Sequence, residues 1–236
     1  MNPTLNNTIE LFRLSLLEYL MVDYSQLILI EMETASERRL DLNDNDQDQV
    51  LKISNKLAKV DTSSIIKFKS CISLGQYFTS NEPGYPTEYF GYLNQANEDR
   101  YWMKVVDSLE VQARKPTLVY LNPDIGLNIS STGTRDTGSN EHLGLHQLFN
   151  IKSKLDGDGT LAYFQNLNEI EIELESYYHQ LKLLVGKCVV FTGSARLNFG
   201  IVILPSIDQS EKVIASIIRF YEEHDLEQGK EVFLFS

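Results

Sequence analysis

The residues best suited to chemistry follow the most strand-like run of the sequence. The segment 117–142, TLVYLNPDIGLNISSTGTRDTGSNEH, begins with apolar residues and continues as a loop rich in Gly, Ser and Thr. Asn122 and Asp124 follow the apolar run, Pro123 fixes the backbone between them, and Gly126 lets the chain turn. We interpret Asn122 and Asp124 as candidate catalytic residues, although Asn, Pro, Asp and Gly also form ordinary turns.

The two candidate catalytic side chains differ in chemistry. The Asn122 amide can orient a ligand through hydrogen bonds but cannot act as a carboxylate base, whereas Asp124 can accept a proton. Asp124 and Asp136 together could hold Mg²⁺, yet two carboxylates on one loop are also common without a metal. His142 and His146 have the i, i+4 spacing of metal-binding pairs but lack a third ligand in a known pattern. We therefore predict no metal site.

Further polar residues fall at the ends of later strand-like runs. Gln165 and Asn166 end the run TLAYFQN, and TGSAR at 192–196 combines a turn, a hydroxyl group and an arginine. That turn could clamp a phosphate or carboxylate, or simply close a hairpin. Trp102 and the aromatic residues Tyr85, Tyr89 and Phe90 could cover the same place as a lid or could belong to the core. The candidate ligand-binding residues are Gly126, Arg135, Asp136, Gln165, Asn166, Ser194 and Arg196.

Alternating helical and strand-like segments must position these residues. Apolar periodicity predicts helices at 4–20, 48–60, 98–114, 142–155, 169–185 and 208–224. Short apolar runs predict strands at 25–33, 63–73, 117–121, 160–166, 187–193, 198–205 and 231–236. The alternation predicts a single α/β domain over residues 1–236, a three-layer Rossmann-like fold with a mostly parallel sheet and an antiparallel C-terminal hairpin. Ligands of such sheets bind beyond the carboxyl ends of the strands, where Asn122 and Gln165 would lie.

The composition narrows the classes of partner. The net charge of −12 disfavours nucleic acid as the main ligand, because phosphate backbones are bound by cationic surfaces. An acidic surface is suited to a basic protein partner. No apolar run approaches the roughly 20 residues that span a bilayer, and the first residues lack the pattern of a signal peptide. With only Cys71 and Cys188, free thiols in a reducing cytoplasm are expected.

The Asn-Pro pair after a strand resembles a known family. A strand followed by Asn-Pro, a loop, a helix and another strand is similar to Rossmann-type amino-methyltransferases, which carry a (D/N)PP(Y/F) motif at this place. The later layout, with a Gly-Ser turn in the closing segment 187–205, resembles ribosomal-RNA adenine methyltransferases. The chain also resembles a bacterial and phage family of unassigned role with the signature LDPDNGL. The matching segments here are LNPDIGL (121–127), FGYL (90–93) and RYW (100–102).

The chain departs from the methyltransferase pattern at two places. Asp124 and Ile125 stand where the motif has its second proline and its base-stacking aromatic residue. The segment after the first strand, EMETASERR, has no glycine, and the first glycine of the chain is Gly75. Cofactor loops of this fold type use glycines to let the backbone approach the ligand. The sequence thus predicts a degenerate motif and no competent S-adenosylmethionine site after the first strand, so the cofactor stays unknown.

Three functions remain open from the sequence. The first is binding of a nucleotide-like or other polar small ligand at the carboxyl edge of the sheet, with or without catalysis. The second is a non-catalytic interaction protein, such as a defence or counter-defence component, that engages a basic partner through its acidic surface. The third is an S-adenosylmethionine-dependent methyltransferase with an unusual cofactor loop.

Overall fold

The fold is described from a computed structural model of the chain. The described residues are 5–32, 52–53, 55–57, 71–74, 102–103, 105–107, 109, 116–123, 126–127, 129–130, 133–134, 143–155, 157–186 and 188–236.

Helices and strands alternate along these residues, as the sequence predicts. The helices are α1 (Leu5–Leu20), α2 (Leu145–Lys154), α3 (Leu174–Val185) and α4 (Ser210–Glu223). The strands are β1 (Gln26–Met32), β2 (Cys71–Leu74), β3 (Thr117–Pro123), β4 (Ile129–Ser130), β5 (Gly133–Thr134), β6 (Thr160–Asn166), β7 (Val190–Ser194), β8 (Phe199–Leu204) and β9 (Phe233–Phe235). Short 3-10 helices lie at Met21–Asp23, Leu167–Glu169 and Ile207–Gln209, and helical residues also occur between 52 and 57 and between 102 and 109.

Several predicted boundaries differ from the observed elements by a few residues, and two of them differ most. The predicted helix 169–185 starts later, at Leu174, because residues Leu167–Glu169 form a separate 3-10 helix. The second predicted strand, 63–73, is observed from Cys71 to Leu74, and its earlier residues lie outside the described part of the chain.

The main sheet is mixed, which corrects the prediction of a mostly parallel sheet. Its seven described strands follow the order β2-β1-β3-β6-β8-β7-β9. The pairs β1–β2, β1–β3 and β3–β6 are parallel, whereas β6–β8, β7–β8 and β7–β9 are antiparallel. The difference arises because β8 turns back at residues 195–198 and inserts between β6 and β7. The predicted antiparallel hairpin within 187–205 is confirmed by this β7–β8 pair.

The central strands are buried along their length, which explains their nearly continuous apolar sequence. All seven residues of β6 are buried, and β3 is buried except at Asn122. Successive side chains of a strand point to opposite faces of the sheet. Leu118 and Tyr120 accordingly belong to one apolar cluster, while Val119 and Leu121 belong to the other.

Helices cover both apolar faces. Helices α1 and α4 contribute to the first cluster, where the ring of Phe12 meets that of Phe220 edge-to-face at 5.2 Å between centroids. Helices α2 and α3 contribute to the second cluster, for example through Leu148 and Leu181. Burying an apolar stripe of each helix against the sheet supplies the main driving force for this arrangement.

No helix within the described residues is both long enough and apolar enough to cross a bilayer.

Candidate functional site

The predicted site residues that the structure describes lie at one edge of the sheet. Strands β3 and β6 are parallel neighbours, so Asn122 and Gln165 both fall near their carboxyl ends. Asn166 is opposite Phe199 of β8, and Phe199 is opposite Ser194 of β7. The turn that follows Ser194 therefore lies at this same edge, which we call the carboxyl edge.

The backbone after β3 approaches β6 very closely at Gly126. Gly126 has a φ of +97°, a conformation that residues with a side chain rarely adopt. A Cβ atom at this position would lie 2.5 Å from Gln165 Oε1 and 2.7 Å from the Phe164 carbonyl oxygen. The Gly126 carbonyl oxygen in turn accepts a hydrogen bond from the Leu143 N–H at 2.9 Å. Only glycine fits this contact, which matches the predicted turn at this residue.

Gln165 fastens the backbone beside that glycine. Its side chain is 1 % exposed, and its Oε1 accepts hydrogen bonds from the Leu127 N–H at 2.9 Å and the Tyr177 hydroxyl at 2.7 Å. Its Nε2 donates to the Asn166 carbonyl oxygen at 3.1 Å. The sequence predicts Gln165 to be a ligand contact, but its amide oxygen already accepts hydrogen bonds from Leu127 and Tyr177. We therefore assign it the role of positioning the loop after β3.

Tyr177 of α3 completes this attachment, and sequence analysis misses it. Its hydroxyl lies 2.9 Å from the Leu127 carbonyl oxygen as well as 2.7 Å from Gln165 Oε1, so one proton serves two acceptors. Burial, reinforced by the neighbouring Tyr163, raises the pKa of Tyr177 well above its ordinary value, which keeps the hydroxyl a neutral donor. In the sequence Tyr177 has only the spacing of a core residue on an amphipathic helix.

Asn166 serves the turn that follows β6. Its side chain is 7 % exposed, and its Oδ1 accepts a hydrogen bond from the Asn168 N–H at 3.0 Å. This bond caps the 3-10 helix Leu167–Glu169, and the Leu167 N–H donates to the Asn198 carbonyl oxygen at 2.9 Å. The predicted ligand contact thus uses its side-chain carbonyl group to cap this 3-10 helix, and the backbone bond of Leu167 joins the end of β6 to the β7–β8 turn.

Ser194 and Arg196 differ sharply in accessibility. Ser194 is fully buried, and its Oγ accepts a hydrogen bond from the Leu197 N–H at 3.4 Å. Arg196 is exposed at the tip of the β7–β8 turn. The Glu231 carboxylate raises the pKa of Lys52. The positive charge of Arg196 acts in the opposite direction. Of Ser194 and Arg196, the residue exposed to solvent at the carboxyl edge is therefore Arg196.

Asn122 is half-buried at the end of β3, the position that the sequence predicts for a ligand contact. Several other predicted residues lie outside the described part of the chain; they are Asp124, Arg135, Asp136, His142, Tyr85, Tyr89 and Phe90.

The remaining candidates do not form a metal site among the described residues. His146 is exposed on α2, and Trp102 is buried in the second apolar cluster. No group of three or more His, Cys, Asp or Glu side chains within the described ranges could hold a metal ion. Among the described residues of the carboxyl edge, the half-buried amide of Asn122 and the exposed guanidinium group of Arg196 are the predicted contacts that reach the surface, and both can form hydrogen bonds.

Comparisons with known proteins assign no family to the chain. No family model matches the sequence. No curated protein matches it either. A crystal structure of a Legionella pneumophila str. Philadelphia 1 protein of the family DUF519 aligns over 100 % of this chain and 97 % of that chain. The two share 10 % sequence identity with a TM-score of 0.43, which is too low to carry an argument about fold or function.

Proposed function

We propose that the protein binds a nucleotide-like or other polar small ligand beyond the carboxyl ends of β1 and β3, on a Rossmann-like sheet related to that of methyltransferases. The observation that carries this proposal is the strand order. From β1 the chain continues to β2 on one side, and it later returns to β3 on the other side of β1. Such a reversal of strand order opens a crevice at the carboxyl ends of the two strands, where open α/β sheets bind ligands.

The register of the two strands supports this location. Glu31 is opposite Asn122, and Met32 is opposite Pro123, so β1 and β3 end at the same level. The carboxyl ends of β1 and β3 therefore lie side by side. Asn122 is at the mouth of this crevice and can both donate and accept hydrogen bonds.

The attachment of the loop after β3 supports the proposal further. Gln165 and Tyr177 hold the backbone at residues 126–127 from the side of β6 and α3. A ligand site gains affinity when its contacts are held in place before binding. In this proposal Asn122 and Asp124 contact the ligand directly, with Arg135 and Asp136 on the same loop, while Gln165 positions them.

The absence of glycine after β1 favours a ligand other than S-adenosylmethionine in its usual pose. The segment EMETASERR has no glycine, and Glu31, Glu33 and Glu37 within it would need to avoid the carboxylate of that cofactor. A methyltransferase with an unusual cofactor loop would instead bind S-adenosylmethionine in a ligand screen.

A thermal-shift screen with ATP, GTP, adenosine, S-adenosylmethionine and Mg²⁺ tests the proposal, followed by calorimetric titration of any hit. A ligand at about 100 times its Kd adds about 2.7 kcal/mol to the free energy of unfolding. We expect a hit among the nucleotides and nucleosides, with at least a tenfold loss of affinity in Asn122→Ala and in Asp124→Ala. Asn150→Ala is the matched control, because it removes the same side chain from an exposed position on α2.

Three results would contradict the proposal. One is an absence of any shift, and another is an equal loss of affinity in Asn150→Ala. A hit with S-adenosylmethionine alone, at micromolar Kd, would favour the methyltransferase hypothesis instead.

A further inference from the structure

A groove of about 470 Å³ opens at the edge of the sheet opposite the carboxyl edge. It lies where β6 begins and β8 ends, between the second half of α2, Cys188 ahead of β7, and the segment 204–207. Its size is in the range of small-molecule sites, which are mostly apolar with a few polar groups. No described residue of the proposed carboxyl-edge site lines it, so an inference about this groove stands independently of the proposed function.

Lys152 places a positive charge in this groove. Its Nζ donates to the Leu204 carbonyl oxygen at 2.6 Å and to the Gly159 carbonyl oxygen at 3.3 Å. An ammonium group has three N–H donors, and both of these acceptors are neutral. No carboxylate of the described residues forms an ion pair with Lys152. Burial lowers the pKa of Lys152 to about 8, and the nearby Cys188 partly opposes this effect. Most Lys152 side chains therefore carry a positive charge at neutral pH.

Ser206 adds an unused hydroxyl on the same groove. Its Oγ is buried and has no hydrogen-bond partner among the described residues. Ser206 occupies the N-cap of the 3-10 helix Ile207–Gln209, which runs directly into α4, but its side chain makes no capping bond. A buried hydroxyl without a partner is costly, so a ligand oxygen here would be stabilising.

The walls of the groove are apolar and partly exposed to solvent. Ile207 is 79 % exposed and Phe149 is 44 % exposed, and both side chains line the groove. Leu148 and Val185 line the same groove from α2 and α3. Covering this surface with an apolar ligand body would remove it from water.

We propose that this groove binds a small monocarboxylate with an apolar body. The carboxylate contacts Lys152 Nζ and Ser206 Oγ, and the apolar body lies against Leu148, Phe149 and Ile207. This occupant follows from charge complementarity, because an anion supplies a charged partner, which no described residue provides to Lys152. A neutral apolar ligand would bring no negative charge to that ammonium group and no hydrogen-bond partner to the Ser206 hydroxyl.

Calorimetric titration of the full chain with octanoate, 1-octanol and acetate tests the proposal. We expect octanoate to bind at least tenfold more tightly than either 1-octanol, which lacks the charge, or acetate, which lacks the apolar body. Lys152→Met should weaken octanoate binding about 10- to 100-fold, since hydrogen bonds to charged groups are worth about 1.5–3 kcal/mol. Ser206→Ala should weaken it several-fold. Lys154→Met is the matched control, because it removes the same charge from α2 at a residue that does not line the groove.

A second measurement uses the unaltered protein and so does not depend on the folding of Lys152→Met. Reductive methylation with formaldehyde and cyanoborohydride, mapped by peptide mass spectrometry, reports the access of each lysine amine. Octanoate should slow methylation of Lys152 at least fivefold and leave that of Lys154 unchanged.

The proposal is overturned if octanoate protects Lys152 and Lys154 equally or protects neither. It is also overturned if 1-octanol binds as tightly as octanoate, which would indicate an apolar groove only. Unchanged octanoate binding in a folded Lys152→Met variant would overturn it as well.

Discussion

The side-chain oxygen of Gln165 lies 2.9 Å from the backbone nitrogen of Leu127, although 38 residues of sequence separate the two. This bond joins the end of β6 to the segment that follows β3, and the Tyr177 hydroxyl strengthens it from α3. The position of the loop that carries the predicted site residues therefore depends on a strand and a helix later in the chain.

Replacing Tyr177 by Phe should loosen this loop while preserving the fold. The change removes the hydroxyl that contacts both Leu127 O and Gln165 Oε1, so we expect a loss of about 1–2 kcal/mol in the free energy of unfolding. Urea denaturation measures this loss, and hydrogen exchange should show faster exchange at the Leu127 amide.

Tyr178→Phe is the control for that experiment. Tyr178 is the next residue on α3, and its buried hydroxyl has no hydrogen-bond partner among the described residues. Its removal should leave the exchange at Leu127 unchanged and should not lower the stability, because a buried hydroxyl without a partner does not stabilise the fold. Equal effects of the two substitutions would show that the Tyr177 hydroxyl does not hold the loop.

Replacing Gly126 by Ala should destabilise the protein more than the same replacement at Gly186 or at Gly157. Gly186 also has a positive φ, +104°, but an added Cβ would meet no atom within 4 Å. Gly186→Ala therefore reports backbone strain alone, about 1–3 kcal/mol. Gly126→Ala adds a clash with Gln165, for which overpacking costs about 1–3 kcal/mol more.

Gly157→Ala completes the series, because that turn glycine has open space around it and no positive φ. Its free energy of unfolding should stay within about 0.5 kcal/mol of that of the unaltered protein. If Gly126→Ala and Gly186→Ala cost the same, the contact with Gln165 is not restrictive.

Glu231 should make the protein sensitive to acid. Its buried side chain lies 2.6 Å from Lys52 Nζ and 2.9 Å from Lys56 Nζ, and it accepts a hydrogen bond from the Glu227 N–H. Burial alone would raise the pKa of Glu231, but these donors outweigh it and lower the pKa from 4.5 to about 2. A depressed pKa stabilises the folded state above the unfolded value, so this contribution is lost as pH falls from about 4.5 to 2.

Glu231→Gln checks this assignment. Across that acid range, its free energy of unfolding should depend less on pH than that of the unaltered protein, when both are measured by urea denaturation. Lower stability at pH 7 is also expected, since the variant lacks both ion pairs. Identical pH dependence of the two proteins would rule out Glu231 as the titrating group.

Tyr24 should contribute to unfolding in alkali. Burial raises its pKa from 10.0 to about 12, although its 2.6 Å hydrogen bond with Thr160 acts in the opposite direction. A raised pKa means that the stabilisation is complete below pH 10 and is lost as pH rises from 10 towards 12. Tyr24→Phe should show a shallower loss of stability above pH 10 in urea denaturation. An unchanged slope would contradict this assignment.

The sequence predicts the elements well where apolar pattern and turn residues agree. Strand β6 is observed at Thr160–Asn166, the predicted range, because a Gly-containing turn precedes it and Asn166 ends it. Inserting β8 between β6 and β7 could not be read from the sequence, since pairing depends on contacts distant in the chain.

The roles of single polar residues at the carboxyl edge were harder to predict. An amide such as that of Asn166 or Gln165 suits a ligand and a turn equally well, and the sequence does not distinguish them. The structure shows protein partners for both side chains, and it places Asn122 within β3, one residue before the strand ends. Tyr177 went unnoticed because its long-range hydrogen bonds leave no periodic signal.

Helix α2 reaches from one edge of the sheet to the other. Just ahead of its first turn, the Leu143 N–H binds the Gly126 carbonyl oxygen, and its last turn carries Lys152 into the groove. Its ten residues form a rod of about 15 Å. If a ligand at one end displaces this helix and so changes the affinity for a ligand at the other end, the second ligand changes the affinity for the first by the same factor. This holds because thermodynamic linkage is reciprocal. Binding at the two edges would then show positive or negative cooperativity, transmitted through α2.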